Sequence, residues 1–223
     1  MTTVSNVQIR PSQQPRLPAA PVQYDPQYQD QFTNILRLYF NQLDNITQNI
    51  LTSAGGKFIR NPCGSFYDTT SQPTTANTAT LLTLNSTDTP NTNGVSVVSG
   101  SKITVVNPGV YNMQFSVQAQ NTDTQMHDIS LWLKQGNGSG SATDLVGSTG
   151  FVSVPNSHGG TPGHIIFGWN YFLNMAANDY IQLWWSSDSS QVSIPFYAAG
   201  TSPTRPSTSS VVLTMTFVSA PLT

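Results

Sequence analysis

Glutamate is absent from this chain of 223 residues, lysine occurs only at three positions, and charged residues make up 8% of the sequence. Glutamate and lysine are the usual surface residues of soluble helices because their unbranched side chains lose little conformational freedom there. A chain that avoids both is not expected to be mostly helical. Its abundant Ser, Thr and Asn are typical of strands and turns whose solvent face is polar but uncharged. Weak charge also limits repulsion between copies of one surface.

Other absences exclude whole classes of protein. The single Cys63 excludes an internal disulfide, so the fold must be stable without one. No apolar run approaches the roughly 20 residues that span a bilayer, and residues 1–20 lack the apolar centre of a secretory signal. Because the net charge is −2 and basic residues are isolated, we expect no nucleic-acid binding through phosphate contacts.

The sequence also lacks a recognisable catalytic or metal-binding motif. His127, His158 and His164 have no short metal-ligand spacing, and without glutamate an acid–base pair has to come from scattered aspartates. The Gly-rich segment 136–140 follows a predicted strand but opens no helix, so it is not expected to bind phosphate. We therefore predict no catalytic residue, no metal site, no cofactor and no enzymatic activity.

The chain begins with a proline-rich arm over residues 1–24. Its prolines recur every three or four residues from Pro11 to Pro21, which favours an extended, polyproline-like backbone that cannot form a core. Two alternatives remain open: a disordered tail, or a peptide that becomes ordered on the surface of a partner. The residues expected to make such an attachment are Arg16, Leu17, Pro18, Val22 and Tyr24.

One helix is predicted over residues 25–54, with Asp25 as its cap, Pro26 in its first turn and Gly55-Gly56 at its end. Its apolar residues form a heptad seam, whose Leu at a and Ile at d favour three or four strands. The alternative is an amphipathic helix packed on the β domain or on another subunit. A linker is predicted over residues 55–65. The predicted seam consists of Phe32, Leu36, Tyr39, Leu43, Ile46 and Ile50.

Residues 66–223 are predicted to form an antiparallel β-sandwich. Apolar and polar residues alternate strictly over residues 109–120, which is the pattern of a strand with one buried face. About ten such short strands, separated by turn-forming Asn, Pro and Gly, indicate a sandwich or jelly roll. The alternation recurs at 129–133, 165–173, 181–185 and 211–217, and shorter strands are predicted at 79–84, 94–98, 103–106, 145–154 and 192–196.

Trp132, Tyr180 and Trp184 occupy outward positions of the predicted strands. A large aromatic residue there can be covered by another subunit, can stack on a sugar ring, or can be a tolerated surface residue. Because aromatic residues are enriched at the centres of interfaces, we favour a subunit interface for all three.

The β region carries Pro108-Gly-Val-Tyr111, Ile129-Ser-Leu-Trp-Leu-Lys-Gln135 and Asn178-Asp-Tyr-Ile-Gln-Leu-Trp-Trp185. On these segments it resembles the complement C1q/tumour-necrosis-factor-like jelly roll, from about residue 66 to residue 218. The family usually has Gly-Asp where this chain has Asn178-Asp179. The resemblance implies a mainly β, antiparallel jelly-roll fold and a compact homotrimer, whose threefold axis would bury the three outward aromatic residues.

The N-terminal segment Arg16-Leu-Pro-Ala-Ala-Pro-Val-Gln-Tyr-Asp25 is followed by Asp30-Gln-Phe-Thr-Asn-Ile-Leu-Arg-Leu-Tyr-Phe-Asn-Gln-Leu-Asp-Asn45. This stretch resembles the N-terminus of virion structural proteins of tailed bacteriophages, especially those that infect cyanobacteria. The resemblance implies that the arm and helix attach the protein to a capsid or tail protein of the same virion.

The resulting prediction is a homotrimeric, non-enzymatic virion structural protein, assembled in the host cytoplasm, whose jelly roll projects outward as part of a tail or head fibre. A capsid decoration or cement protein is the alternative within the virion. A lectin-like module that binds a host surface glycan is the competing class. Neither a nucleic-acid partner nor membrane insertion is expected.

Overall fold

The structure is a computed structural model that describes residues 13–51, 61–138 and 140–221. The chain divides into two compact units between Arg60 and Asn61. The first unit contains the arm and the helix, and the second contains the β-sheets. Among the described residues, no helix combines the length and the apolarity needed to span a membrane.

Helix α1 spans Pro26–Leu51. Asp25 caps its first turn, because its Oδ1 accepts a hydrogen bond from the backbone N–H of Gln27 at 2.9 Å. The predicted start of the helix is therefore confirmed, whereas its predicted end at Gly55-Gly56 lies outside the described residues. Residues 13–24 form neither helix nor strand. None of the described helix side chains is buried within the single chain, so the helix has no core of its own in this unit.

The second unit contains two main sheets and a small hairpin, all antiparallel. A short 3-10 turn lies at Thr89–Asn91. The strands are β1 (Cys63–Asp68), β2 (Gln72–Pro73), β3 (Thr80–Leu81), β4 (Ser86–Thr87), β5 (Val95–Val98), β6 (Lys102–Val105), β7 (Gly109–Asn121), β8 (His127–Asn137), β9 (Thr143–Asp144), β10 (Gly150–Val154), β11 (Gly163–Phe167), β12 (Asn170–Met175), β13 (Asp179–Ser187), β14 (Val192–Ile194), β15 (Gly200–Thr201), β16 (Thr204–Arg205) and β17 (Val211–Ser219).

The eight-stranded sheet is built around β7. Its strand order is β2-β14-β7-β17-β1-β4, and β11 and β12 also pair with β7. The pairing register runs on from β11 to β12, because Phe167 lies opposite Val117 and Asn170 lies opposite Gln114. Gly168 and Trp169 therefore continue one strand line along β7.

The seven-stranded sheet has the order β10-β8-β13-β6-β5, with β3 paired to β13 and β9 paired to β8. Its longest pairing joins β8 to β13 over nine residue pairs, from Asp179 opposite Asn137 to Ser187 opposite Ile129. This pairing places Trp132 directly opposite Trp184.

The inner faces of the two sheets form one apolar core. Tyr111, Met113, Val117, Ile129 and Trp185 are among its fully buried members. These residues occupy the inward positions predicted from the alternation, and the predicted mainly β, antiparallel sandwich is confirmed.

Several predicted boundaries are wrong. The sandwich begins at Cys63 rather than at residue 66, because Gly64 and Ser65 already pair with Met215 and Thr214 of the last long strand. The strand predicted from residue 145 begins at Gly150, since Gly147 has φ +77° and interrupts the extended backbone. The strands predicted at 79–84 and 192–196 shorten to Thr80–Leu81 and Val192–Ile194.

Candidate interaction surfaces

The outer face of the eight-stranded sheet carries no charged side chain in the described strands. The one charged residue of these eight strands is Asp68, which is buried on the inner side. The polar residues of the outer face are amides and hydroxyls, with His164 as its one titratable imidazole. They include Ser65, Asn112, Gln114, Ser116, Gln118, Gln120, Asn170, Asn174, Thr214 and Thr216.

Four apolar side chains are exposed on the same face. Ile166 and Phe172 are 64% and 63% exposed, and Val212 and Val218 lie on the neighbouring strand line of β17. Asn112 lies between Phe172 and Thr216 in the register, and its Oδ1 is buried without a hydrogen-bond partner in the described chain. This surface, hereafter the neutral face, therefore combines exposed apolar groups with a buried, unpaired acceptor.

The outer face of the seven-stranded sheet differs in charge. Its strands contain Lys102, Asp128, Lys134, Asp144 and Asp179. Lys134 Nζ lies 3.3 Å from Asp144 Oδ1 and 4.7 Å from the centre of the Trp184 ring. The Nε1–H of Trp132 donates to the same Asp144 Oδ1 at 3.1 Å. The two predicted tryptophans are therefore half-buried beside an ion pair.

Tyr180 does not offer an exposed surface, and its predicted place in a subunit interface is wrong for this reason. Its side chain lies on the side of the strand opposite that of Ile181, as the alternation predicts, but it is only 2% exposed within its own chain. Its ring lies against Gly136, where a Cβ atom would lie 2.5 Å from the ring, and its hydroxyl donates to the Gly140 carbonyl. Lys102 Nζ covers the ring at 4.3 Å from its centre.

The exposed residues of the neutral face were not among the residues predicted from sequence. Ile166, Phe172, Val212 and Val218 occupy the outward positions of strands whose inward residues were predicted correctly. The same alternation that placed Trp132 and Trp184 outward also identifies these four. An apolar residue of any size at an outward strand position was therefore the sequence signal for this surface.

The helix seam is only partly covered in the single chain. Phe32, Leu36, Tyr39, Leu43 and Ile46 are half-buried, and Ile50 is exposed. Leu38 and Phe40 are also exposed, although they lie outside the predicted seam. A cleft of about 720 Å³ lies between arm residues 13–15 and the helix at Ile35, Leu38, Tyr39 and Gln42. Of the predicted attachment residues, Arg16, Leu17, Val22 and Tyr24 are exposed and Pro18 is half-buried.

His127 is the one histidine with close carboxylate partners on both ring nitrogens among the described residues. Its Nε2 lies 2.9 Å from Asp123 Oδ2, and its Nδ1 lies 3.1 Å from Asp188 Oδ1. The hydrogen bond to Asp123 raises the pKa of His127 above its usual value, and the same bond lowers the pKa of Asp123. Because both nitrogens are engaged, the imidazole joins two loops and has no free nitrogen for a substrate or a metal.

In the part of the chain that the structure describes, no group of three or more His, Cys, Asp or Glu side chains is arranged to hold a metal ion. Cys63 is half-buried, and its Sγ lies 3.6 Å from the Asn91 carbonyl oxygen. The candidate interaction surfaces of this unit are therefore its two outer sheet faces.

No protein-family model and no curated protein sequence matches the chain. Among solved structures, the fold is similar to that of Eiger TNF from S. frugiperda, with a TM-score of 0.50 and 12% identity over 74% of this chain and 97% of that chain. The globular domain of zebrafish complement 1qA is also similar, with a TM-score of 0.42 and 13% identity over 71% of this chain and 98% of that chain. The likeness to Eiger TNF and the two antiparallel sheets give the fold as a mainly β, C1q/TNF-like jelly roll, which helix α1 precedes in the chain.

Proposed function

We propose that the protein is a homotrimeric, non-enzymatic structural protein of a bacteriophage particle, anchored by its arm and helix and displaying its jelly roll outward in a tail or head fibre. The neutral face is the observation that carries the self-assembly. The resemblance of residues 16–45 to virion structural proteins supports the location in a particle. A capsid decoration protein would have the same two features. The position of the protein within the particle therefore distinguishes a decoration protein from a fibre protein.

The neutral face can be buried against another copy at low electrostatic cost. Desolvating a charged group costs several kcal/mol, whereas burying apolar surface contributes roughly 25 cal/mol per Å². The face exposes Ile166, Phe172, Val212 and Val218 and carries no charge that would have to be desolvated.

The neutral face is favoured over the predicted contact through Trp132 and Trp184. Asp144 already bonds Trp132 and Lys134 within the chain. An interface there would have to desolvate this ion pair. Three copies rather than two follow from the C1q/TNF-like resemblance and from the Leu/Ile pattern of the helix seam.

Replacing Phe172 with aspartate is expected to convert the trimer into a monomer. Phe172 is 63% exposed on β12 of the neutral face, so the change adds a charge that self-contact would bury, while the isolated sandwich loses little. Light scattering at micromolar protein concentration measures the mass of each variant.

The matched control is Phe151→Asp on the seven-stranded sheet. Phe151 is 77% exposed on the opposite side of the sandwich, so this variant should keep the mass of the native trimer. A native chain that is monomeric contradicts the trimer. Dissociation by Phe151→Asp with Phe172→Asp unaffected would place the contact on the other sheet.

The first unit has the features expected of an attachment segment. None of the described helix side chains is buried, and Leu38 and Phe40 remain exposed outside the seam. In the arm, Leu17, Val22 and Tyr24 are exposed. These apolar groups are available to a virion protein as well as to the helices of other copies.

Deleting residues 1–24 is expected to leave a folded sandwich that no longer enters particles. The arm belongs to the first unit, and none of its described residues, 13–24, is a member of the sandwich core. Particles assembled with this variant in place of the native chain are purified, and the bound protein is quantified by immunoblot.

A full-length variant that combines Leu17→Ser, Val22→Ser and Tyr24→Ser is the comparison. This variant should also be incorporated into particles in a smaller amount than the native chain. Normal incorporation of the deletion variant would remove the anchoring role. Electron microscopy of labelled native protein then separates a fibre from a shell decoration.

A further inference from the structure

We propose that the outer face of the seven-stranded sheet binds a neutral oligosaccharide along a band formed by the aromatic residues Phe151, Trp132 and Trp184 and the aliphatic Leu81. This binding site is separate from the neutral face. The site does not depend on the location of the protein in a virion.

The band crosses four adjacent strands. Trp132 of β8 lies directly opposite Trp184 of β13, and Trp184 lies opposite Leu81 of β3. Phe151 of β10 lies opposite Ser130, one diagonal step from Trp132 on the same face. Because neighbouring strands are about 4.8 Å apart, four strands give the band a length of roughly 14 Å. A band of this length can accommodate a short, extended chain of sugar rings.

The central rings are held in place before any ligand binds. Asp144 Oδ1 accepts a hydrogen bond from Trp132 Nε1 at 3.1 Å and also contacts Lys134 Nζ at 3.3 Å. Lys134 in turn lies 4.7 Å from the centre of the Trp184 ring. Ordered side chains lose little conformational entropy on binding, so weak stacking contacts are not offset by the cost of fixing the rings.

Hydroxyl groups without protein partners lie beside the band. Ser130 and Ser186 are opposite each other in the register, half-buried and on the same face as the tryptophans. Neither hydroxyl makes a hydrogen bond within the described residues. A sugar ring presents C–H groups on its face, which pack on the electron-rich face of an aromatic ring, and hydroxyls at its edge, which need hydrogen-bond partners. The band and the two serines supply both kinds of contact.

The charges on this face favour an uncharged ligand. Lys134 and Asp144 neutralise each other beside the band. An anionic sugar would meet Asp144, and a cationic partner would meet Lys134, so neither gains a net attraction. A neutral saccharide avoids both repulsions.

Calorimetric titration of the full chain with cellohexaose, maltohexaose and chitohexaose tests this site, with a hyaluronan hexasaccharide as the anionic comparison. We expect at least one neutral hexasaccharide to bind with a Kd of about 1 mM or tighter. Phe151→Ala and Trp132→Ala should each weaken that binding, the latter by at least about tenfold. Phe172→Ala, on the neutral face, should leave it unchanged.

Phe151 is 77% exposed, so Phe151→Ala preserves the fold and keeps the test decisive if Trp132→Ala fails to fold. The proposal is overturned if none of the three neutral hexasaccharides binds, if only hyaluronan binds, or if Phe151→Ala leaves the affinity unchanged. A lower oligomeric mass of Phe151→Ala by light scattering would also overturn it, because the band would then be a contact between copies.

Discussion

Replacing Gly168 with alanine is expected to lower the free energy of unfolding by about 3 kcal/mol, because the new methyl group has no space. A Cβ atom at this position would lie 1.9 Å from the Phe115 carbonyl oxygen and 3.1 Å from the Ser116 Cα. Both atoms belong to the backbone of β7, the strand around which the eight-stranded sheet is built. The clash therefore cannot be relieved by rotating a side chain.

The measurement is chemical unfolding at one fixed protein concentration, because self-association makes apparent stability depend on concentration. Gly140→Ala is the control, since its Cβ would meet a single atom, the Asn137 carbonyl oxygen, at 3.1 Å in a surface loop. This control should stay within about 1 kcal/mol of the native chain. Equal unfolding midpoints for the Gly168 and Gly140 variants would contradict the close approach of the two strand lines.

Replacing Asp68 with alanine is expected to cost about 3 kcal/mol, since it removes a buried acceptor that four hydrogen bonds share. Asp68 ends β1 on the inner side of the sheet and is 1% exposed. Its Oδ1 accepts hydrogen bonds from the backbone N–H of Thr70 at 2.7 Å and from the Thr70 hydroxyl. The hydroxyls of Thr83 and Ser210 also reach the carboxylate, each at 3.4 Å.

Asp68→Asn separates the loss of these hydrogen bonds from the loss of charge. The asparagine keeps Oδ1, and its amide can donate to the Thr83 hydroxyl, which accepts as well as donates. We expect the asparagine variant to lie within about 1 kcal/mol of the native chain in the same unfolding experiment. A loss of stability as large as that of the alanine variant would show that the charge, rather than the hydrogen bonds, is what the fold requires.

The alternation of apolar and polar residues predicted which strand side chains face the core and which face outward. Residues 109–120 alternate strictly, and their inward set is the core set of β7. Trp132 and Trp184 lie outward as the pattern requires. Tyr180 shows the limit of the pattern. Alternation gives the side of the strand, but only the three-dimensional approach of Gly136 and Gly140 determines that the chain covers this ring itself.

Which outward residues share a surface was not predictable from periodicity. Ile166 and Phe172 occupy outward positions of the alternation, but periodicity along one strand does not show which other strands lie beside them. Their grouping with Val212 and Val218 depends on β11, β12 and β17 all pairing with β7, and such long-range pairing leaves no local mark. Long-range strand pairing also determines that the charged side chains lie on the seven-stranded sheet and not on the outer face of the described eight-stranded sheet.

Boundaries were predicted least accurately. Gly64 has weak strand propensity, and β1 extends to it because its backbone pairs with Met215, while the backbone of Cys63 bonds that of Asn93. The helix start was accurate because Asp25 and Pro26 act locally, through a cap that needs no tertiary contact.

Assembly through the neutral face, as proposed, would respond little to ionic strength. Dissolved salt weakens attraction between charges, with a screening length of about 8 Å under physiological conditions, but it has little effect on contacts made by amides, hydroxyls and apolar groups. A trimer held through Phe172, Ile166 and their uncharged neighbours would neither dissociate in concentrated brine nor tighten in nearly pure water. A particle built on such contacts would keep its parts when the salinity around it changes.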